Sequence, residues 1–448
     1  MSSLFLEKSE REELINRLND LLCYMKENFS SYDAYFHEID GLKLETLDDL
    51  CHFPIIDKKE PLALQLASEV LDKNPIAYFE TSGTSGNPFP VIPDMSAKRS
   101  QEFAHFISEW LDLKNNAITR AAIALPFEMN PIGLKYYLAL NQLNIMSIPV
   151  GVRTHLCPPR KVLDIFERLR PELLIARPME TLRYAEAMQA QGLDPKQSSI
   201  KKIILTGEII SKSKFKRIER IYGGADVYSV YGLTELDSGG LVSCRNHQYH
   251  LPSVPYIAIE LLKDDFKTPV LGDGEIGNII FTNTHKNYMP LFRYKTGDYG
   301  VLHTQCECGQ FKTPVINLLG RSSDKIDYQG QSVFPIQIED ILFEFDDFAS
   351  DYQLVKKNDE LVLMLELMSN QPNNEEINLL ALKLRNAIFN KLNINIEHIH
   401  IYSPGRLLNK LGIAKSKAGT LYQLDSHAVS KEDLLQLVQL NFACHDAL

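Results

Sequence analysis

The sequence is poor in the features that would assign it to several common classes. Among its 448 residues there is a single tryptophan, and basic residues are not in excess: 47 Lys and Arg face 58 Asp and Glu. The formal charge is -11 and the pI about 5.6. Such a surface repels nucleic acid and anionic lipid, so neither is an expected partner. No stretch reaches the roughly 18 to 20 apolar residues that a membrane span needs. The opening segment, MSSLFLEKSEREELINRL, mixes charges with apolar residues at helical spacing. It has neither the basic start nor the apolar run of a secretory signal. The seven cysteines (Cys23, Cys51, Cys157, Cys244, Cys306, Cys308, Cys444) are odd in number and irregularly spaced. That pattern suits reduced thiols in a cytosol rather than a disulfide framework. There is no internal repeat and no low-complexity tract. A soluble, cytoplasmic protein is the expectation.

What is present is an ordinary globular balance, 44% hydrophobic and 23% charged, over a length that accommodates two or three domains. The middle third alternates amphipathic helices with short apolar strands. Val162, Ile165, Phe166 and Leu169 share a helical face, and the run Leu173 to Ala176 follows. A helix from about Met179 to Gly192 precedes the buried-strand pattern Ile203 to Leu205. Phe215, Ile218 and Ile221 mark the next helix, and Val227 to Val230 the next strand. This alternation predicts an α/β fold with covered sheets. Tyr256 to Leu262 and Glu275 to Thr282 read as strands of a more β-rich region. A boundary falls after Gly320-Arg321, giving a large domain, 1–320, and a small α+β domain, 321–448. In the latter, Ile338, Ile341, Leu342 and Phe345 predict a helix and Leu361 to Leu367 a strand. After the loop Asn370 to Asn374 come a long helix bearing Ile377, Leu380, Leu384 and Ile388, a strand near Ile396 to Tyr402, and a last helix from Ser430.

Four segments carry candidate chemistry. Thr81-Ser82-Gly83-Thr84-Ser85-Gly86 offers hydroxyls and backbone amides suited to phosphate oxygens, with glycines that permit close approach. It is neither a Walker A loop nor a Gly-x-Ser-x-Gly nucleophile elbow. Alone it is equally a solvated turn. Tyr228-Ser229-Val230-Tyr231-Gly232-Leu233-Thr234-Glu235 ends a strand with an aromatic to stack on a base, a hydroxyl for phosphate and a carboxylate for Mg²⁺. In Phe292-Arg293-Tyr294-Lys295-Thr296-Gly297-Asp298 the acid suits ribose hydroxyls, and in Gly320-Arg321-Ser322-Ser323-Asp324-Lys325 the arginine suits ribose or phosphate. Each of these motifs is individually common.

Their order and spacing resemble the superfamily of adenylate-forming enzymes, and within it the phenylacetate–CoA ligase family, from about residue 50 to 425. The resemblance implies a multidomain α+β protein in which α/β subdomains and a β-rich subdomain precede a small mobile C-terminal domain. It implies activation of a carboxylic acid, of aromatic type in that branch, as acyl-AMP. Transfer to coenzyme A follows, with a carrier-protein phosphopantetheine or an amine as other acceptors. A non-catalytic nucleotide-binding relative is the alternative of another class. The resemblance also assigns roles: residues 81–86 orient the phosphates of ATP, Gly207-Glu208 lies beside adenine, Tyr231 stacks on it with Gly232 next in the nucleotide site, and Glu235 holds Mg²⁺ beside Thr234. Asp298 binds ribose, with Arg321 nearby. A late lysine, Lys417 or else Lys415 in GIAKSKAG, stabilises the transferring phosphoryl group. Ser323 stands at the family's hinge, where aspartate is common. Trp110, Phe127 and Met129 are either pocket lining or plain core. Related ligases are often dimers, so a homodimer is possible.

Cys306-x-Cys308 together with Cys244 and His250, or His247 in its place, offers four sulfur and nitrogen donors of the kind zinc takes as a tetrahedron. Some phenylacetate ligase-like proteins are similar here, with a structural zinc.

Overall fold

The computed structural model describes residues 7–403, apart from 40, 42, 58–65, 67, 74, 82–88, 153–155, 237–239, 252–256, 358–359 and 369–372, together with 421–423. The expected helix from Ser430, Cys444 and the candidate lysines Lys415 and Lys417 lie outside the described residues, as do Ser82, Gly83, Thr84, Ser85 and Gly86. The chain divides into two compact units. One comprises Met1–Glu180, Tyr184–Glu208 and Glu219–Leu318; the other comprises Thr181–Arg183, Ile209–Ile218 and Leu319–Leu448.

In the first unit, the helix Lys8–Asn28 buries Leu14, Leu18, Leu21, Leu22 and Met25, a stripe at helical spacing. A short antiparallel pair follows, β1 (Phe79–Glu80) and β2 (Pro90–Val91). Then comes a parallel block: β3 (Arg120–Ala124), β4 (Met146–Pro149), β5 (Leu173–Ala176), β6 (Lys202–Thr206) and β7 (Asp226–Tyr231). Helices Ile132–Gln142, Pro159–Leu169, Pro178–Ala190 and Lys212–Ile221 make its crossovers. Residues 121–124, 173–176 and 203–205 are fully buried, which is why these strands are apolar without alternation. The α/β reading of the sequence matches this block.

The sheet continues through the antiparallel strands β8 (Leu241–Ser243) and β9 (Tyr249–His250), then β10 (Ile257–Leu262), β11 (Ile276–Asn283), β12 (Tyr294–His303) and β13 (Val315–Arg321). Its eleven strands run in the order β10-β11-β12-β13-β9-β8-β7-β6-β5-β3-β4. Trp110 packs edge-on against Tyr228 and donates its indole N–H to the Ser243 carbonyl at 3.0 Å. It is therefore core.

The second unit holds a four-stranded sheet ordered β18-β17-β16-β19, from β16 (Phe348–Lys357), β17 (Glu360–Leu367), β18 (His398–Tyr402) and β19 (Leu421–Gln423). A hairpin, β14 (Ile326–Tyr328) and β15 (Gln331–Val333), turns at Gln329 and Gly330. Both have positive φ, the backbone of a tight two-residue hairpin loop, and glycine takes the second place without strain. The long helix Asn374–Leu392 opens with a capping box between Asn373 and Glu376 and closes on left-handed Asn393.

Several local expectations need correction. The helix Pro335–Leu342 stops before Phe345, and the strand expected from Ile396 begins at His398. Met129 is exposed with φ of 51°, which removes it from the core.

A buried ion pair joins two segments of the second unit. Lys214 Nζ lies 3.1 Å from Glu339 Oε2, and both residues are almost wholly buried. Tyr352 donates to the same oxygen at 3.1 Å, and the Ser211 amide donates to Oε1 at 3.2 Å. Removing one partner strands a charge without solvent, which costs about 3–5 kcal/mol. Lys214→Met is therefore expected to lower the urea midpoint sharply. Adding Glu339→Leu is expected to recover part of that loss, whereas a further drop would contradict the pairing.

Candidate functional site

Strand β7 delivers its C-terminal end to an irregular turn. After Tyr231 the chain passes Gly232 and Leu233 into the single helical turn Thr234–Leu236. The side-chain amide of Asn283 pins this turn by donating to the Leu236 carbonyl at 2.7 Å. The Tyr231 ring is 8% exposed and tilts against Phe281, with centroids 6.0 Å apart. Behind it, the Gly240 amide donates to the Tyr231 carbonyl at 3.0 Å. There is no space for a side chain at Gly240: a Cβ would sit 2.7 Å from that carbonyl and 2.9 Å from the Phe281 ring.

The partner of this turn is the start of β12. Opposite β11 the pairs Ile280–Lys295 and Asn278–Tyr299 leave extra residues on β12, a bulge that includes Gly297 at φ 78°. Bulges re-aim side chains, and here the side chain is that of Asp298. The Thr296 hydroxyl donates to the Ile279 carbonyl at 2.7 Å and receives the Asp298 amide at 3.0 Å. Asp298 is 3% exposed, and the Tyr231 hydroxyl donates to its Oδ2 at 2.6 Å. In the other direction, the Tyr294 hydroxyl donates to Glu235 Oε1 at 3.3 Å. Two segments some sixty residues apart thus exchange partners: the tyrosine of each holds the acid of the other.

A buried clamp underlies Tyr294. Arg293 has φ 47° and is 1% exposed. Its guanidinium forks onto Glu260 with bonds of 2.9 and 2.8 Å and donates to the Phe53 carbonyl. Its amide donates to the Thr282 hydroxyl at 2.9 Å. The Ile56 amide donates to the Arg293 carbonyl at 3.1 Å, and the Lys295 amide donates to the Ile56 carbonyl at 2.9 Å. From the sequence alone, Arg293 and Tyr294 carry no task. The signal was their adjacency to the Asp298 turn.

Other candidate residues take separate places. Thr81 closes the base of the glycine-rich loop: its amide donates to the Phe89 carbonyl and its hydroxyl accepts the Phe89 amide, both at 2.9 Å. Gly207, at φ 83°, follows β6 and lies beside the Arg177 side chain; Glu208 comes next. Phe127 is half-buried against the core beneath β3. In the second unit, exposed Arg321 ends β13, and Ser323 donates to Asp324 Oδ1 at 3.1 Å.

A second cluster is formed by Cys244, His250, Cys306 and Cys308, whose donor atoms all lie within 4.8 Å of one another. Cys244 Sγ and Cys306 Sγ are 3.8 Å apart, and Cys308 Sγ and His250 Nε2 are 3.7 Å apart. With metal bonds of roughly 2.3 Å to sulfur and 2.0 Å to nitrogen, a zinc tetrahedron has edges of roughly 3.5 to 3.8 Å, which these two separations match. The His250 Nδ1 lies 2.8 Å from the Thr313 carbonyl, which directs Nε2 toward the sulfurs. Burial pushes the Cys244 thiol up to about 12. His247 turns elsewhere, with its Nε2 3.2 Å from Glu219. None of the six described cysteines is in a disulfide.

The α/β fold matches that of solved CoA ligases. Residues 330–417 match the family model of the AMP-binding enzyme C-terminal domain. The 2-hydroxyisobutyryl-CoA ligase, solved in the postadenylation state with an acyl-AMP, superposes with a TM-score of 0.82 at 16% identity, covering 97% of this chain and 94% of that one. In sequence, the phenylacetate-coenzyme A ligase of Thermus thermophilus is 25% identical over 392 residues, 81% of this chain and 83% of the relative. That of Aromatoleum evansii is 24% identical over 445 residues, 92% and 95% of the two chains. Over most of its length the chain is thus similar to phenylacetate-coenzyme A ligases, and its C-terminal segment to the AMP-binding enzyme C-terminal domain.

Overpacking a filled site costs about 1–3 kcal/mol. Gly240→Ala is expected to lower unfolding stability by that amount in urea titrations. An unchanged midpoint would show that the Tyr231 backing is looser than described.

Proposed function

We propose that the chain is an AMP-forming acid–CoA ligase, and one observation carries the reading: Tyr231, Glu235 and Asp298 meet through two crossed hydrogen bonds at one strand mouth. A carboxylate oxygen of the substrate attacks the α-phosphorus of ATP, the bond to the β-phosphate oxygen breaks, and pyrophosphate leaves. The nucleophile is already anionic, so no general base is needed. Tyr231 offers a ring face to adenine and Asp298 accepts ribose hydroxyls. Thr234 donates to phosphate. Glu235 is a hard oxygen donor of the type Mg²⁺ takes, and the bound ion supplies charge neutralisation at the phosphates. Lys417, with Lys415 as the alternative, adds positive charge to the transferring phosphoryl group, and the family match that reaches residue 417 supports that placement. In the second step the thiolate of coenzyme A attacks the acyl carbon, the carbon–oxygen bond to AMP breaks, and a thioester forms. An aromatic acid such as phenylacetate is the first substrate indicated, because the sequence relatives carry that name. Ser323 would serve as the hinge between the two steps.

Cys244, His250, Cys306 and Cys308 would hold a zinc ion that ties two loops together, with every position filled by protein and none open to substrate.

Acid-dependent exchange between ATP and pyrophosphate, followed by thioester detection after coenzyme A is added, tests the activity. Asp298→Asn and Glu235→Gln are each expected to slow exchange by roughly 100-fold. No exchange with any of a panel of aromatic and aliphatic acids would refute the proposal. Exchange without a thioester would move the acceptor to a carrier protein or an amine. Lys417→Ala and Lys415→Ala variants that both exchange at the wild-type rate would refute the lysine assignment.

For the metal, elemental analysis of the purified chain is expected to find about one zinc per chain, lost in Cys308→Ser. A zinc-free wild type of unchanged thermal stability would contradict a structural role.

A further inference from the structure

Tyrosine hydroxyls with buried rings need a hydrogen-bond partner, and here both partners are carboxylates on the opposite segment. Tyr231 is 8% exposed and Tyr294 1% exposed, so neither hydroxyl is free to swing. Tyr231 is fixed from behind by Gly240 and Phe281, and Tyr294 by the adjacent Arg293–Glu260 fork and by a bridge to Ile56. Each phenol is thus a rigid post for the acid it meets. Glu235, on a single helical turn, is only partly buried.

We infer that Tyr231 and Tyr294 act as positioning residues through their hydroxyls: Tyr231 orients Asp298 toward ribose, and Tyr294 orients Glu235 toward the metal. The inference rests on the nucleotide-site reading above and adds a division of labour to it. The bond from Tyr231 is short at 2.6 Å, so Asp298 is set before any ligand arrives. The bond from Tyr294 is long at 3.3 Å, and such bonds tighten when the site fills. Groups that orient a metal ligand from outside typically tune metal affinity by 10-fold or more. The crossing has a consequence for mutation: the tyrosine of each segment is to be read out through the function of the other segment's acid.

The test uses the full-length chain and two probes. AMP without metal reports the ribose contact. The methylene analogue of ATP that cannot release pyrophosphate, titrated with and without Mn²⁺, reports the gain in affinity due to metal. Calorimetry measures both. Tyr231→Phe is expected to weaken AMP by about 10-fold, the scale of one hydrogen bond to a charged acceptor, and to leave the metal-dependent gain intact. Tyr294→Phe is expected to leave AMP binding intact and to cut that gain by about 10-fold. Both variants keep the ring, and their urea midpoints report folding. If either variant weakens both readings equally, or leaves both unchanged while wild type binds both probes, the inference is overturned and the nucleotide site stands. A wild-type chain that binds neither probe overturns the nucleotide site and the inference together.

Discussion

A carboxylate that must meet a sugar hydroxyl or a metal ion is of use only if its direction is fixed before the ligand arrives. In this protein the two acids proposed for those tasks each accept a hydrogen bond from a buried phenol. The hydrogen bonds from Tyr231 to Asp298 and from Tyr294 to Glu235 tie the end of one strand to the bulged start of another. Several surrounding features hold these four residues. The parallel block brings Tyr231 to its carboxyl end, Asn283 anchors the turn that bears Glu235, and the bulge at Gly297 re-aims Asp298. Hydrogen bonds to ionised acceptors are roughly twice as strong as neutral ones, so a small number of them suffices.

The Arg293–Glu260 fork shows what such placement requires. A guanidinium and a carboxylate taken out of water together lose much solvation, and their attraction does little more than offset it. The return is positional. Arg293 adopts a left-handed backbone that few non-glycine residues take, and its side chain reaches Glu260 and the segment at Phe53 at once. The neighbouring Tyr294 then has one place to go. The Lys214–Glu339 pair does the same in the second unit, holding Ser211 and Tyr352 around a single carboxylate.

Much of this was legible in the residues, and the reasons are physical. Strands buried on both faces carry unbroken apolar runs, so the parallel block from Leu173 to Tyr231 could be read directly. Asp298 and Glu235 stood out through the order and spacing of motifs that are each common alone, and Cys244, His250, Cys306 and Cys308 because zinc chemistry selects those side chains. The crossed bonds were not legible, since nothing local says that Tyr294 faces Glu235. That contact depends on a strand order in which β12 and β7 are not neighbours. Buried lysines were equally hidden: Lys202 and Lys214 have the sequence context of surface charge, and only long-range partners, Asp226 and Glu339, explain their burial. Met129 misled in the opposite sense, an apolar residue that sits at a left-handed turn and faces solvent.

The central claim is that distant segments build one nucleotide site around these two acids. A crystal structure with a non-hydrolysable acyl-AMP analogue tests it most directly. The account predicts adenine on the Tyr231 ring, ribose hydroxyls on Asp298 and the phosphate beside Thr234. A nucleotide seated elsewhere, with Tyr231 and Asp298 untouched, would contradict it.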